Sequence, residues 1–113
     1  MPGAFDLNCL VLGDDPSRVF PVRIAATDSV GILRKLIKDE KKHAFEHVDA
    51  DTLVLWNVSI PLGESFKDSL SKLDLVEERS LLPEQELVEI FTGPPAKKHV
   101  HIVVKAPPIG AWA

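Results

Sequence analysis

The side chains with chemical potential in this chain fall into four small groups. Cys9 is the single thiol, His43 and His47 stand four apart, His99 and His101 stand two apart, and Asp49 and Asp51 flank one alanine. A nucleophilic thiol needs a neighbouring base or cation to hold it as thiolate. No histidine lies near Cys9 in sequence, and its place on an apolar strand face marks a buried structural thiol. Imidazoles at i and i+4 of a helix, or at i and i+2 of a strand, can share a zinc ion, but tetrahedral zinc takes further ligands at a supporting spacing. None follows either pair, so both read as surface histidines. Asp49 and Asp51 are hard oxygen ligands suited to a divalent cation; more simply, short Asp side chains bond to nearby backbone N–H groups and shape the entry to a strand. The glycines are scattered, with no G-x-x-x-x-G-K-S/T run to cradle a phosphate. The expectation is a protein that is not an enzyme and has no cofactor or metal.

A chain of 113 residues, 45% hydrophobic and 27% charged, has the size and composition of one globular domain. Its net charge of -4 and pI near 5.5 give no drive toward phosphate backbones, so no nucleic-acid partner is expected. No apolar run approaches the ~20 residues that cross a bilayer, and stable membrane insertion is not expected either. With one cysteine there is no internal bridge, and stability must come from packing. The N-terminal MPGAFDLNCLVLG lacks a basic n-region, and Asp6 and Asn8 interrupt its apolar run, so no secretory signal is evident. A soluble domain is expected, with any export following a route that needs no cleaved signal.

The elements that must position these residues follow from periodicity. Phe5, Leu7, Cys9 and Val11 alternate on one face of a strand, Gly13 to Pro16 have turn chemistry, and Phe20, Val22 and Ile24 alternate on a second strand. Pro21 lacks an N–H, which assigns that second strand to a sheet edge. TDSVGILRKLIKDEKK predicts a helix capped by Thr27 or Asp28, with Val30, Leu33, Leu36 and Ile37 on its apolar stripe and Arg34, Lys35, Lys38 and Lys42 on a basic face. Leu53 to Val58 alternate again. Phe66, Leu70 and Leu73 suit a short helix, and Pro83 suits the first position of another that carries Leu87, Ile90 and Phe91. The segment 92–98 is a loop. In HVHIVVK the pattern places Val100, Ile102 and Val104 on one face and His99, His101 and Val103 on the other.

One helix laid across a small mixed sheet buries all these stripes together. The expected fold is therefore α+β, a ubiquitin-like β-grasp with one main helix and short helical insertions before the last strand. Three segments in order then resemble a known family: DSVGILRKLIKDE, FEHVDADTLVLWNVSIP with its VDAD followed by L-x-L, and HVHIVVKAP, which is similar to a closing His-Val-x-Val-x-x-Pro strand. Together they resemble the N-terminal header domain of Crinkler effectors of oomycetes and fungi, across most of residues 5–108. Oomycete members carry an LFLAK-type trafficking motif after the acidic element. Here Leu53, Val54, Leu55, Trp56, Asn57 and Val58 hold its place without its Phe, Ala and Lys, as in fungal variants.

That resemblance implies an N-terminal header domain over residues 1–105 and the start of a linker over 106–113, where Pro107, Pro108 and Gly110 suit a semi-stiff exit. It also implies a secreted protein that acts in a host cell, often in the host nucleus, through a separate C-terminal domain often nucleotide-hydrolase or nuclease-like. The N-terminal domain itself would work by protein recognition. If Leu53 and Leu55 point into the core, Val54, Trp56, His101 and Val103 point out of it, because side chains alternate along strands. These four are the candidate partner-binding residues, an apolar patch with a histidine on neighbouring strands. The partner is an unidentified protein, and self-association through the patch or the Pro21 edge is compatible. The competing arrangement has the segment from Leu81 to Phe91 folding over Trp56. The competing functions are a scaffold-type module binding a small GTPase or kinase through the basic helix face, and a conjugated modifier, which a Gly-Ala-Trp-Ala ending disfavours.

Overall fold

The computed structural model describes residues 3–63, 66–72, 80–91 and 97–106. Strand β1, Ala4–Val11, pairs antiparallel with β2, Phe20–Ala25, in a register that sets Phe5 against Ile24, Leu7 against Val22 and Cys9 against Phe20. All six are buried in one cluster, so the hairpin's apolar face is built by cross-strand pairs. Gly13 turns the chain at φ 99°, a conformation that a side chain would strain. The Asp15 carboxylate then accepts the Ser17 N–H at 2.9 Å within a 3-10 turn, Pro16–Arg18. That backbone bond, helped by the Ser17 hydroxyl, holds the Asp15 carboxyl below its usual range.

The sheet order is β2-β1-β4-β3, which puts β2 at an edge as Pro21 requires. The N–H of Asn8 points toward β4, so its partner Pro21 directs its own nitrogen to the free edge, where a missing donor interrupts no ladder. Strand β3, Val54–Pro61, and the last strand β4, His99–Lys105, are antiparallel, whereas β4 runs parallel to β1. This is a mixed four-stranded sheet in an α+β fold, compatible with the expected β-grasp.

Helix α1, Val30–Glu40, holds the whole expected apolar stripe but is shorter than the predicted segment 27–42, and its cap is Ser29 rather than Thr27 or Asp28. The reason lies in the backbone. The carbonyls of Ala26 and Asp28 accept the N–H groups of Val88 and Leu87, and the Asp28 N–H closes a turn onto the Ala25 carbonyl, so this stretch turns before the helix starts. The first free donors of α1 are met in return: Val30 donates to the Gln85 carbonyl at 2.8 Å and Gly31 to the Pro83 carbonyl at 3.1 Å. Residues 83–85 thus serve as an external cap, which corrects the expected helix from Pro83. Only the single turn α3, Leu87–Ile90, forms, closed by a capping box between Glu86 and Glu89. Helix α2, Phe66–Ser71, follows β3 as expected; Leu73 and the 92–96 part of the predicted loop lie outside the described residues, as does the linker from 107 on.

Apolar residues occupy both faces of the sheet. Against α1 lie Phe5, Leu7, Cys9, Val22, Ile24, Val30, Leu33, Ile37, Leu55, Ile102 and Val104, with Leu87 and Leu81 closing the end. On the opposite face Leu10, Trp56, Ile60, Val100 and Val103 form a second cluster with Phe66 of α2. Val100 was expected beside Ile102 and Val104. The register slips between Asn57 and Ile60, where two residues of β3 face one of β4. At the same level His101 turns into the seam toward β1, and alternation along β4 is broken.

Candidate functional site

The surface that the sequence singles out is the outer face of β3 and β4. Trp56 and Val103 stand directly opposite each other in the antiparallel register, and Leu10 lies across from Val103 on the parallel side. Val54 and Val58 pack at the margin, half-buried. Leu53 and Leu55 point to the α1 side and are fully buried, while Asn57 is exposed. The six residues in the trafficking-motif position thus form the entry and first half of β3, with alternate members on opposite faces of the sheet.

The face is covered. Trp56 is 4% exposed, and Val103 is fully buried. An open apolar platform is therefore corrected to a closed one. The cover is neither solvent nor the segment from Leu81 to Phe91, which packs at the α1 side and whose Leu81 N–H donates to the Leu55 carbonyl at 2.8 Å. It is α2, which contributes the buried Phe66 and the half-buried Leu70 and turns Lys67 and Asp68 to water. An exposed Asp68–Lys72 pair at 3.0 Å, i to i+4, spans its last turn, a contact worth only about 0.3–0.5 kcal/mol. Each large apolar side chain gains about 1.5–3 kcal/mol on burial, so covering Trp56 and Val103 is what holds α2 down. One signal for this arrangement was present in the sequence: Leu10 is apolar on a face of β1 otherwise carrying Asp6 and Asn8.

His101 departs from the predicted patch. It is 3% exposed, and its Nδ1 accepts the Asn8 backbone N–H at 2.9 Å. Its ring stands edge-on to Phe91, centroids 6.4 Å apart, and Phe91 in turn meets Phe5 at 5.8 Å. The Asn8 side chain bridges the same gap by donating Nδ2–H to the His99 carbonyl at 2.8 Å. Side chains here complete the β1–β4 seam where the backbone ladder does not reach. Alternation alone gave no warning of this, because it assumes an unbroken strand.

The other candidate groups stay apart. Cys9 is fully buried, with its thiol 3.7 Å from the Leu7 carbonyl; burial, with a smaller effect from Glu40, pushes the thiol far above its ordinary range and leaves no thiolate for chemistry. His43 and His47 are exposed on the turns after α1, and His99 Nδ1 lies 2.8 Å from the Lys97 carbonyl. Asp49 and Asp51 are exposed around a 3-10 turn, Ala50–Thr52, and it is the Asp49 carbonyl, not its carboxylate, that accepts the Thr52 hydroxyl at 2.6 Å. Among the described residues no three His, Cys, Asp or Glu side chains gather as a metal site. On the basic face, Arg34 is engaged: its guanidinium donates to the carbonyls of Asp51 at 3.4 Å and Leu81 at 3.5 Å, tying α1 to the start of β3 and to the cap segment.

Residues 5–105 match the model of the Crinkler effector protein N-terminal domain. The chain is 35% identical over 101 residues to Crinkler effector protein 1 of the fungus Rhizophagus irregularis, an alignment covering 89% of this chain and 21% of that protein. It is 36% identical over 118 aligned positions to Crinkler effector protein 8 of Phytophthora infestans, covering 90% of this chain and 19% of the relative. The chain thus spans about a fifth of the length of either relative.

Proposed function

Because this chain belongs to the Crinkler effector N-terminal domain family, we propose that it is a non-catalytic N-terminal domain, secreted with a separate effector domain and carrying it into host cells by protein recognition. The observation that carries the proposal is the family match over residues 5–105, which takes up a fifth of each relative and leaves the rest of those proteins for other work. Recognition runs through the outer face of β3 and β4, with Val54, Trp56 and Val103 as contacts and His101 at the border of the same strands. Residues Leu53 to Val58 serve delivery through this strand rather than as a loose linear signal, since they are buried or half-buried on one face or the other, Asn57 excepted. The route is toward the cytosol of the recipient cell and, with the attached domain, its nucleus.

The cover supplies the mechanism. An α2 of six residues holds the face shut through Phe66 and Leu70. A partner that presents its own apolar anchor replaces Phe66 and recovers the burial that lifting α2 gives up. Tryptophan-centred faces of this kind concentrate binding energy. The same exchange with α2 of a second copy gives self-association. In a pull-down from recipient-cell extract, Phe66→Ala retains more of the partner than wild type, while Val54→Ser and Trp56→Ala lose it with folding verified by circular dichroism. Equal recovery by wild type and folded Val54→Ser and Trp56→Ala variants contradicts the proposal.

A further inference from the structure

We infer that the groove between α1 and the Ala50–Thr52 turn docks an acidic, partly apolar segment of a protein partner, at a surface separate from the outer face of β3 and β4. The groove is a cavity of about 250 Å³ lined by Ile32, Arg34 and Lys35 of α1, Ala50 and Asp51 of the turn, and Pro83 of the cap segment. The free end of the helix is not what attracts an anion here, because the N–H groups of Val30 to Leu33 already donate to Gln85, Pro83 and Ser29. The side chain of Arg34 does. A guanidinium has five N–H donors. Two go to the Asp51 and Leu81 carbonyls at 3.4 and 3.5 Å, at the long limit of hydrogen bonding, and Nε–H is buried without an acceptor. A buried donor left unpaired is costly. A carboxylate matches the planar fork and can meet Nε–H and a terminal N–H together once the guanidinium turns out of its two long bonds.

The charges choose among anions. Two cations, Arg34 and Lys35, line the cavity against one carboxylate, Asp51, and Asp49 is exposed beyond it. A balance of one positive charge suits a single carboxylate, whereas a phosphate dianion would lie beside Asp51 without full compensation. Lys35 is exposed and in no ion pair among the described residues. Lys38 and Lys42 continue the row from Arg34 at i+4 and i+8, so a second or third acid along the docked segment also finds a cation. Asp39 and Glu40 are rotated out of that row, and Lys41 lies over the Phe20 ring. Five of the 13 basic residues thus fall within 34–42 of a chain whose net charge is -4. Ile32, 39% exposed, and the exposed Pro83 give the segment its apolar contact.

Fluorescence anisotropy with labelled peptides tests the site. The probes are a peptide alternating Glu and Leu, its counterparts with Lys or phosphoserine in place of Glu, and, as competitor, vesicles containing phosphatidylserine. The Glu peptide is expected to bind in preference to the others, and added salt to weaken it. Lys35 and the Asp51 carboxylate are exposed and make no hydrogen bond in the fold, so their variants report on binding alone. Lys35→Glu should weaken the complex about fivefold and Asp51→Asn should tighten it by a similar factor. Arg34→Lys, which keeps the charge without the fork, should weaken it about tenfold. In NMR the Glu peptide should shift the amides of Ile32, Arg34 and Lys35 and leave those of Trp56 and Val103 in place. The inference is overturned by the absence of binding at about 1 mM peptide, by equal affinity of wild type and Lys35→Glu, by shifts centred on Trp56, or by a preference for phosphoserine or vesicles.

Discussion

Trp56 holds the outer face of the sheet together. It is opposite Val103, shares a cluster with Leu10, Ile60 and Phe66, and keeps 4% of its surface in water. Removing so large a buried ring leaves a cavity that its neighbours fill only in part, so Trp56→Ala is expected to lower stability by about 3–5 kcal/mol in denaturant unfolding. An effect below about 1 kcal/mol would mean that the ring lies at the surface. The alternating run from Leu53 correctly assigned Leu55 and Trp56 to opposite faces, because strand periodicity is local. Whether the outward face is wet depends on what packs on it, and that was not written in the strand. Likewise the Asn8–His101 bond joins positions 93 residues apart, with nothing in either local pattern to announce it.

The helices show where local pattern yields to partners. The apolar stripe of α1 was legible, and Val30, Leu33 and Ile37 are fully buried as expected. Its start was not, because the chain turns at residues 26–28, where the carbonyls of Ala26 and Asp28 accept the N–H groups of Val88 and Leu87, before the helix begins. Pro83 was a reasonable first helical residue, yet its carbonyl and that of Gln85 are used by the N-terminus of α1. Gly31 stands at this junction. A Cβ placed there meets the Pro83 carbonyl oxygen at 3.5 Å and Ser29 Oγ at 3.6 Å, both ordinary contacts. The helix propensity of alanine then decides the outcome, and Gly31→Ala is expected to raise stability by about 0.5–1 kcal/mol, read as a higher denaturation midpoint. A loss of stability would show that the cap segment tolerates no approach at this point.

At the scale of the whole molecule, the sheet is a stiff platform with a large core on one side and a small, separately covered cluster on the other. The hairpin, the main helix, the edge position of β2 and the α+β class were all readable, since each rests on periodicity or on proline's missing donor. The second cluster was readable only in hindsight, from Leu10 on the outer face of β1 and from Phe66 and Leu70 four apart just after β3. This asymmetry is what the proposed role draws on: the α1 side maintains the fold while the α2 side can exchange its cover for a partner. The direct measurement is delivery itself, with residues 1–106 fused to a fluorescent reporter and tracked into recipient cells. Wild type and Phe66→Ala should bring the reporter inside, while folded Val54→Ser and Trp56→Ala fusions should leave it outside. Equal uptake of all four, or no uptake of the wild-type fusion, would contradict the account.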